Sequence, residues 1–366
     1  MYKYKVKIIR GGFTNPFELQ NFYPLLDKYD LKVVSSLRPI SCDIKIPLIK
    51  LASPTDLPNF PYKYPILNRL FTDAHYLFGL EKVIAGNDIV HVAETYYHYT
   101  NQAIRAKQKG LVKKIISTVW EVIPSNNEGI TGRKEFKRLS YQYVDHFIAV
   151  TNLARKALLE EGVADDKISV IPMGVDLKRF TPGSRVDDDK TITILCVARL
   201  VEEKGIGELV SAFGALRKNN SKIKLVLVGD GPLKNKLLGL GGIEIKTIPY
   251  DKIQIEYQQA DIFCLPSKTT KYWQEQFGMA LVEAMACGLA IITTNTGAIG
   301  EVCANAAMYV KPDDVNDLQL SLDRLINDSK LRHALGRKSQ ALAIAKYDYQ
   351  KSALAIDQIY QQVLCQ

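Results

Sequence analysis

Short runs of β-branched and other apolar residues alternate with helical patterns along nearly the whole chain, and this alternation constrains the fold more than any other feature. It is typical of parallel sheets, because a strand can pair in parallel with its successor only through a crossover, which is usually a helix. The predicted strands of the first half are 4–10, 31–36, 88–93, 113–119, 146–151 and 168–172. Those of the second half are 191–198, 222–229, 243–249, 261–266 and 289–294.

The chain of 366 residues is too long for one typical hydrophobic core, so two α/β domains are expected. The polar, turn-rich stretch 179–190 is typical of a linker. We therefore place an N-terminal domain at 1–180 and a C-terminal domain at 181–349, each a doubly wound, Rossmann-like sheet. Ligands of such sheets bind beyond the carboxyl ends of the strands.

Local signals refine this outline. Asn15, Pro16 and Glu18 predict a helix start, with an Asn cap, Pro in the first turn and an acid three residues after the cap. The stretch 47–65 contains five prolines and predicts a long loop. Helices are expected at about 205–218, 231–239, 252–259 and 279–287, and through most of the last 50 residues.

Composition describes an ordinary globular protein, with 47% apolar and 24% charged residues. No apolar run approaches the roughly 20 residues that a membrane-spanning helix needs. The N-terminal sequence MYKYKVKIIRGG is an alternating strand rather than a signal peptide, so a cytoplasmic location is expected. The six cysteines are scattered without a CxxC spacing, which favours free thiols over a disulfide framework or a zinc site.

Charge is distributed unevenly. Residues 1–180 contain 26 Lys and Arg against 18 Asp and Glu, whereas the remainder contains 22 against 21. A basic first half suggests an anionic partner, such as the inner face of a membrane, a phosphorylated lipid or a nucleic acid. A solvated basic surface without a binding role is equally compatible with these counts.

The stretch VARLVEEKG, 197–205, places two cations between a predicted strand and the helix that follows. Arg199 and Lys204 would act together with the helix N-terminus, whose backbone N–H groups and dipole favour an anion. The alternative is a surface loop in which Lys204 pairs with Glu202 or Glu203.

Glycines follow two of the predicted strands. Gly229 and Gly231 stand after 222–229, and Gly12 stands after the first strand, where a ligand could approach the backbone closely. The dinucleotide fingerprint GxGxxG is incomplete, because Lys234 occupies its third position, so a nicotinamide or flavin cofactor is disfavoured. A tight turn is the alternative interpretation of these glycines.

The stretch WQEQFGMALVEAMACG, 273–288, contains two glutamates in an otherwise apolar setting. A helix is predicted to start near Gly278 and to end at Gly288, which leaves Glu275 before the helix and Glu283 inside it. At about 100° per residue, eight positions leave the two acids roughly 80° apart, so they should contact different parts of one extended ligand. Alternatively, Glu275 complements the helix dipole and Glu283 pairs with a lysine.

Taken together, these motifs are similar to those of the retaining glycosyltransferases of group 1, family 4. The resemblance is strong over about 165–320 and weak in the N-terminal half. It rests on the order of IPMGVDLKRFTP, ARLVEEKG, LVGDGP, ADIFCLPS, EQFGMALVEAMACGLAIITTNTGAIGEV and KPDDVNDL. The resemblance implies the GT-B fold: two Rossmann-like domains facing across a cleft, with a C-terminal helix at about 350–366 crossing back to the first domain.

The resemblance also implies a nucleotide-diphosphate sugar, UDP- or GDP-linked, as donor. Arg199 and Lys204 match the family pair that holds the diphosphate, Glu275 the carboxylate near the transferred sugar, and Glu283 the acid that binds the ribose hydroxyls. Further donor contacts are implied at Gly12, Gly229, Gly231, Tyr250 (nucleobase), Phe277, Gly278, Met279 and Ala280. No metal is expected, and the acceptor would be lipid-linked, a polysaccharide or another glycan.

Several positions depart from the family pattern. The histidine common after the strand 113–119 is absent, and Trp120 and Glu121 stand there as candidate acceptor residues. Trp120 could stack on a sugar or belong to the core. Relatives often have a second histidine after DIVH, where this chain has Ala93 and Glu94, and His91 itself is more typical of a core residue. A GT-B epimerase or phosphorylase, a DNA-modifying glycosyltransferase and a non-catalytic sugar-nucleotide sensor are the alternative functions.

Overall fold

The computed structural model describes residues 3–183 and 191–365, which form two compact units. The first comprises the chain up to Met173 together with the C-terminal residues from Gln350, and the second extends from Gly174 to Tyr349. The division falls just before the predicted linker at 179–190, and part of that linker lies outside the described residues.

The first unit contains a seven-stranded parallel sheet in the order β3-β2-β1-β4-β5-β6-β7. Its strands are β1 (Lys5–Gly11), β2 (Asp30–Ser36), β3 (Leu48–Leu51), β4 (Asn87–Ala93), β5 (Val112–Val119), β6 (His146–Ala149) and β7 (Ile168–Val170). Its helices are α1 (Pro16–Leu19), α2 (Lys63–Phe71), α3 (Leu80–Ile84), α4 (His98–Gln108), α5 (Arg133–Tyr143) and α6 (Asn152–Glu160).

The start of α1 follows the sequence prediction. The side chain of Asn15 accepts a hydrogen bond from the backbone N–H of Glu18 at 2.8 Å, and Pro16 occupies the first turn. The carboxylate of Glu18 does not close a full capping box. It pairs instead with Arg10 at 2.6 Å, which ties the helix to the end of β1.

The prediction of a loop across 47–65 is wrong in two places. Leu48–Leu51 forms the edge strand β3, and α2 begins at Lys63. The apolar residues of β3 are sufficient for a four-residue parallel strand, and the prolines lie outside its central positions.

The last helix of the chain, α14 (Tyr349–Cys365), packs on the first unit. Ile356, Tyr360 and Val363 share a buried cluster with Val6, Ile8 and Ile89 of β1 and β4. Asp357 accepts hydrogen bonds from Lys28 and from the hydroxyl of Tyr29, each at 2.6 Å. The predicted return of the chain to its first domain is therefore confirmed.

The second unit contains a six-stranded parallel sheet in the order β10-β9-β8-β11-β12-β13. Its strands are β8 (Ile192–Val197), β9 (Ile223–Val228), β10 (Ile243–Lys246), β11 (Ile262–Leu265), β12 (Ala290–Thr294) and β13 (Ala307–Val310), the last of which was not predicted. Its helices are α7 (Ile206–Arg217), α8 (Lys234–Leu237), α9 (Gln254–Gln258), α10 (Met279–Ala286), α11 (Ile299–Cys303), α12 (Val315–Asn327) and α13 (Ser329–Lys346).

Strand order in the second unit positions its candidate site. From β8 the chain proceeds to β9 on one side, whereas β11, on the other side of β8, leads away to β12 and β13. The carboxyl ends of β8 and β11 therefore flank a topological switch point, where doubly wound sheets bind ligands. Within residues 3–183 and 191–365, no helix combines the length and apolarity that crossing a membrane requires.

Candidate functional site

Lys204 lies directly beyond the carboxyl end of β8, at the last position of a short 3₁₀ helix, Glu202–Lys204, that leads into α7. Its Nζ is 2.6 Å from Oε2 of Glu275, and both side chains are largely buried. Nζ also lies 4.7 Å from the ring centroid of Trp273, within the range of a cation–π contact. The alternative pairing of Lys204 with Glu202 or Glu203 is therefore wrong.

Glu275 is fixed by three contacts. Besides Lys204, its Oε2 accepts a hydrogen bond from the hydroxyl of Ser267 at 3.1 Å, and its backbone oxygen accepts from the N–H of Ala298 at 2.8 Å. A Cβ at Gly297, whose φ is +54°, would lie 2.1 Å from that same backbone oxygen. Glycine is therefore required at 297 for the loop after β12 to support Glu275.

The loop after β11 is held from the neighbouring strand. The hydroxyls of Thr294 and Thr296 both donate to the backbone oxygen of Ser267, the latter at 3.2 Å. All three side chains are buried. The polar side chains that follow β8, β11 and β12 are thus linked by hydrogen bonds. We call Lys204, Ser267, Glu275, Thr294 and Thr296 the Lys204–Glu275 cluster.

Arg199 does not share the burial of Lys204. Its side chain is 64% exposed, and its Nη2 has a long contact of 3.4 Å to Glu203. Such an exposed pair contributes little stability, so the guanidinium is available to reorient toward an anion at small cost.

Gly229 and Gly231 bring two backbone segments together. A Cβ at Gly229 would lie 1.9 Å from the backbone oxygen of Ala198, and one at Gly231 would lie 2.5 Å from that of Leu200. The N–H of Leu200 donates to the oxygen of Asp230 at 2.8 Å. Glycine is therefore needed at both positions because the chain after β9 lies so close to the chain after β8. Contact of these glycines with a donor stays a prediction.

Helix α10 begins and ends where the sequence predicts. Gly278 is its N-cap residue and Gly288 follows its C-cap, so Glu275 precedes the helix and Glu283 lies inside it. Phe277 is buried, with its ring edge-to-face on Tyr347 at 5.9 Å. The N–H groups of Met279 and Ala280 belong to the first turn, whose donors have no acceptor within the helix.

Glu283 occupies a second, more apolar setting. The hydroxyl of Tyr257 donates to its Oε2 at 2.7 Å, and Tyr250 also donates to this carboxylate. Burial raises the pKa of Glu283 to about 7, against the opposing effect of the two tyrosines and the charge of Arg179. The alternative in which Glu283 pairs with a lysine is not supported, since its neighbours are tyrosines.

Tyr250 is braced by a cation. The guanidinium of Arg179 lies 4.3 Å from the ring centroid of Tyr250, and its Nη2 donates to the backbone oxygen of the same residue. Arg179 therefore contacts Tyr250, and its positive charge acts on the Glu283 carboxylate. Sequence analysis missed Arg179, although it stands within the IPMGVDLKRFTP motif.

Trp120 and Glu121 are the acceptor residues predicted in the first unit, and Glu121 is surrounded by hydrogen-bond donors of its own loop. Oε1 of Glu121 accepts from the N–H groups of Val122 and Ile123 at 3.0 Å each, and its Oε2 accepts from Asn126 and Asn127. Burial raises its pKa. Glu121 thus organises its own loop, which gives it a structural role. Trp120, just before it, is half-buried.

Glu94 is a residue whose importance sequence analysis did not recognise. It follows β4 with φ of +60°, an unusual backbone conformation for a non-glycine residue, and its Oε1 accepts from the N–H of Trp120 at 2.9 Å. Its buried Oε2 has no hydrogen-bond partner among the described residues. Burial and the nearby charge of Glu121 raise the pKa of Glu94 to about 8.

His91 is a core residue, as the sequence favours. Its two ring nitrogens lie 2.8 Å from the hydroxyl of Tyr360 and 2.7 Å from that of Thr118. Burial lowers the pKa of His91 to about 3, so the ring is neutral. Gly12, the remaining predicted ligand contact, lies beside Ser36, whose Oγ would be 3.7 Å from a Cβ at that position.

No disulfide joins the six cysteines, all of which lie in the described part of the chain. Within residues 3–183 and 191–365, no group of three or more His, Cys, Asp or Glu side chains is arranged to hold a metal ion.

Two family models match the chain. That of the group 1 glycosyl transferases matches residues 178–342, and that of Glycosyltransferase Family 4 matches residues 43–179. The chain belongs to the group 1, family 4 glycosyltransferases. The region 178–342, matched by the group 1 family model, contains the Lys204–Glu275 cluster, Glu283 and Arg179. The residues of the candidate site thus lie within the region of the chain that the family model matches.

Curated members of this family are moderately similar to the chain. The gpi3 subunit of phosphatidylinositol N-acetylglucosaminyltransferase from Schizosaccharomyces pombe is 26% identical over 295 residues, which cover 77% of this chain and 60% of that protein. The GDP-mannose-dependent monoacylated alpha-(1-6)-phosphatidylinositol monomannoside mannosyltransferase from Corynebacterium glutamicum is 27% identical over 270 residues, 67% of this chain and 69% of that protein. The chain thus matches 60% of the length of the Schizosaccharomyces pombe relative, which is less than two thirds.

Solved structures show the fold of this family member over its full length. Anabaena HepE in complex with UDP and glucose superposes with a TM-score of 0.77, covering 98% of this chain and 100% of that one, at 15% identity. The two parallel α/β units are therefore those of a GT-B glycosyltransferase.

Proposed function

We propose that this chain is a retaining, metal-independent glycosyltransferase that moves a hexose from a UDP- or GDP-sugar to a lipid-linked, polysaccharide or other glycan acceptor. The observation that carries the proposal is the Lys204–Glu275 cluster at the switch point of the second sheet. There a buried cation and a buried acid are held 2.6 Å apart beside the N-terminus of α10.

The cations suit the chemistry of the leaving group. Breaking a glycosyl–phosphate bond develops negative charge on the departing nucleoside diphosphate and positive charge on the sugar. Lys204 supplies a preorganised point charge, and exposed Arg199 can add a forked contact to the same phosphates. The first-turn N–H groups of Met279 and Ala280 add further donors for an anion.

The acids then serve recognition. Glu275 contacts the transferred sugar, where its negative charge also favours positive charge that develops at the anomeric carbon. Glu283, with Tyr257 behind it, accepts hydrogen bonds from the ribose hydroxyls, and Tyr250 on Arg179 supports the nucleobase. Because the two acids hold different parts of the donor, they are not the acid and nucleophile pair of a glycosidase. Retention then follows from front-side attack, in which the diphosphate accepts the proton of the acceptor hydroxyl.

The comparisons support the donor and acceptor classes. The name of the Corynebacterium relative specifies a GDP-mannose donor and a lipid acceptor, and HepE was crystallised with UDP and glucose.

A donor panel tests the proposal. Thermal shifts with UDP, GDP and ADP and their sugars identify the base, since a ligand that binds the native state raises its stability. Nucleotide release is then measured with the selected donor, with and without EDTA, and the anomeric configuration of the product is determined by NMR. We expect retained configuration and turnover insensitive to EDTA. An inverted product, turnover restored by a divalent cation after chelation, or no release from any donor would contradict the corresponding part of the proposal.

A further inference from the structure

The segment between β11 and α10, residues 266–278, places Trp273 beside the charged pair of the candidate site. Nζ of Lys204 lies 4.7 Å from the centroid of the Trp273 ring and 2.6 Å from Oε2 of Glu275. The side chain of Lys204 is only 13% exposed. Its ammonium group is therefore held by a ring and a carboxylate together, and it is largely shielded from water.

The ring and the carboxylate act on the ammonium group in different ways. The carboxylate of Glu275 accepts one N–H group of Lys204, whereas the ring of Trp273 attracts the positive charge through its quadrupole. Because an ammonium group has three N–H donors, donors of Lys204 remain for an anionic ligand. A cation–π contact is also stronger at such a desolvated site than at an exposed one.

Hydrogen bonds connect the loop that carries Trp273 to the chain that carries Lys204. The N–H of Lys268, at the start of this loop, donates to the backbone oxygen of Glu203 at 2.9 Å. Within the loop, the N–H of Thr270 donates to the backbone oxygen of Trp273 at 2.8 Å. The position of the ring beside Lys204 is thus fixed by the backbone as well as by the cation–π contact.

The neighbouring residue Tyr272 provides a contrast within the same loop. Its ring is 69% exposed, and Nζ of Lys271 lies 5.2 Å from the ring centroid. Cation–π contacts at exposed sites contribute little, so this pair is not expected to fix a side chain. The two adjacent aromatic residues therefore differ in the cation they contact: a surface lysine for Tyr272 and the buried lysine of the candidate site for Trp273.

We propose that Trp273 is a positioning residue that orients the ammonium group of Lys204 toward the diphosphate of the donor. The ring restrains the cation, so the diphosphate meets a charge that is already in place and needs no reorganisation. The proposal rests on the proposed function, because it takes the diphosphate as the ligand of Lys204. It extends that function to a residue that acts through Lys204.

Inorganic pyrophosphate is the first probe, since it presents two phosphates without a base or a sugar. Calorimetry with the full chain measures its affinity. Trp273→Leu should weaken pyrophosphate binding by about tenfold, because the cation–π contact is lost at a desolvated site. It should lower kcat/KM of nucleotide release by at least the same factor, since charge on the leaving group is greatest in the transition state. Trp273→Phe retains a ring face and should stay within about threefold of the wild type.

Ring fluorination separates the electrostatics of the ring from its bulk. Fluorine withdraws electron density from the ring face and hardly changes its size, so mono-, di- and trifluorotryptophan should weaken pyrophosphate binding stepwise, by up to about tenfold in total. The chain has two tryptophans, Trp120 and Trp273. The same analogues in the Trp273→Phe protein, where Trp120 is the remaining tryptophan, measure the contribution of Trp120.

A double-mutant cycle tests whether Trp273 acts through Lys204. The probe is UDP or GDP, whichever the donor panel selects, because base and ribose contacts keep its affinity measurable without the lysine. In the Lys204→Met protein, Trp273→Leu should change this affinity by less than about twofold. Tyr272→Leu is the matched control and should bind pyrophosphate as the wild type does. Thermal melts verify that each variant is folded.

Three outcomes would overturn the proposal. Wild-type pyrophosphate affinity in Trp273→Leu would show that the ring is not needed, and equal affinity across the fluorinated series would show that only its bulk matters. An undiminished effect of Trp273→Leu in the Lys204→Met protein would show that Trp273 does not act through the lysine. A chain in which pyrophosphate binding depends on Trp273 and Lys204, but which releases nucleotide from no donor, contradicts the proposed function alone. Turnover that is unchanged in Trp273→Leu contradicts the role of Trp273 alone.

Discussion

The buried acids that follow β4 and β5 of the first sheet have different hydrogen-bond partners from the buried acids of the candidate site in the second sheet. In the second unit, the buried acid Glu275 is matched by the cation Lys204, and Glu283 by two tyrosine hydroxyls. In the first unit, the buried acids Glu94 and Glu121 accept hydrogen bonds mainly from the backbone and amides of the chain that follows β5.

This difference indicates which of the two sheet edges can bind a charged ligand. A cation held beside an acid, with a second cation exposed at Arg199, leaves charge that a ligand can use. Glu121 uses both of its carboxylate oxygens within its own loop, and Glu94 uses Oε1 for the N–H of Trp120, so these two acids mainly position the chain after β5. The donor chemistry is accordingly expected from the second unit, and the following predictions test the contrast in order of expected effect.

The largest effect is expected at Glu94, through pH. Its folded-state pKa of about 8 lies above its ordinary value of 4.5, so its contribution to stability is complete below pH 4.5 and is lost as pH rises through 8. At about 1.4 kcal/mol per pKa unit, the wild type should lose several kcal/mol relative to Glu94→Gln between pH 5 and pH 9. Glutamine retains the acceptor for the N–H of Trp120 and cannot titrate.

Urea unfolding of both proteins at the two pH values measures this effect. The difference between their free energies of unfolding removes the contribution of titrating groups that do not interact with Glu94, and the remainder belongs to Glu94 together with its neighbour Glu121. Parallel pH profiles for the wild type and Glu94→Gln would show that Glu94 ionises normally, and the contrast between the two edges would fail.

Lys204→Ala should have the next largest effect, on turnover. Removing one preorganised partner of a developing charge typically costs about 3 kcal/mol, which corresponds to a loss of roughly 100-fold or more. Lys218→Ala is the matched control, because Lys218 follows the opposite end of α7 and is exposed. Initial rates of nucleotide release, with thermal melts to verify folding, separate the two. Unchanged turnover in Lys204→Ala would refute its role at the leaving group.

A smaller effect on donor binding is expected from Glu283→Gln. The amide still accepts from Tyr257, but at pH 8, above the Glu283 pKa of about 7, a charged acceptor for the ribose hydroxyls is lost, so the donor Kd should rise about tenfold. Calorimetry with the nucleotide measures the change. Glu244→Gln, in β10 and paired with Lys246, is the control and should bind normally. A large fall in kcat with an unchanged Kd would instead place Glu283 in the chemical step.

Most of the architecture could be predicted from the sequence because each strand of a parallel α/β unit corresponds to a short run of apolar residues. Sequence analysis missed β3, which lies among prolines, and β13, whose AMYV sequence is too short to stand out. Within the site, order along the chain predicted that Glu275 precedes α10 and that Glu283 lies inside it. The pairing of Glu275 with Lys204 joins residues 71 positions apart, and only the meeting of β8, β11 and β12 reveals it. The sequence marked Glu94 only as a departure from the family pattern, since its burial and positive φ are properties of the folded chain.

The smallest effect is expected from Tyr360→Phe, which tests whether His91 is structural. The variant removes the hydroxyl that contacts Nδ1 of His91 and preserves the edge-to-face packing on Tyr29. Loss of one buried hydrogen bond should lower the free energy of unfolding by about 1 kcal/mol. Turnover should stay at the wild-type level, because the neutral imidazole holds α14 against β4 and contributes no charge to the sheet edge. Urea unfolding and initial rates are both required, since a stable Tyr360→Phe protein with impaired turnover would move His91 from the core to the reaction.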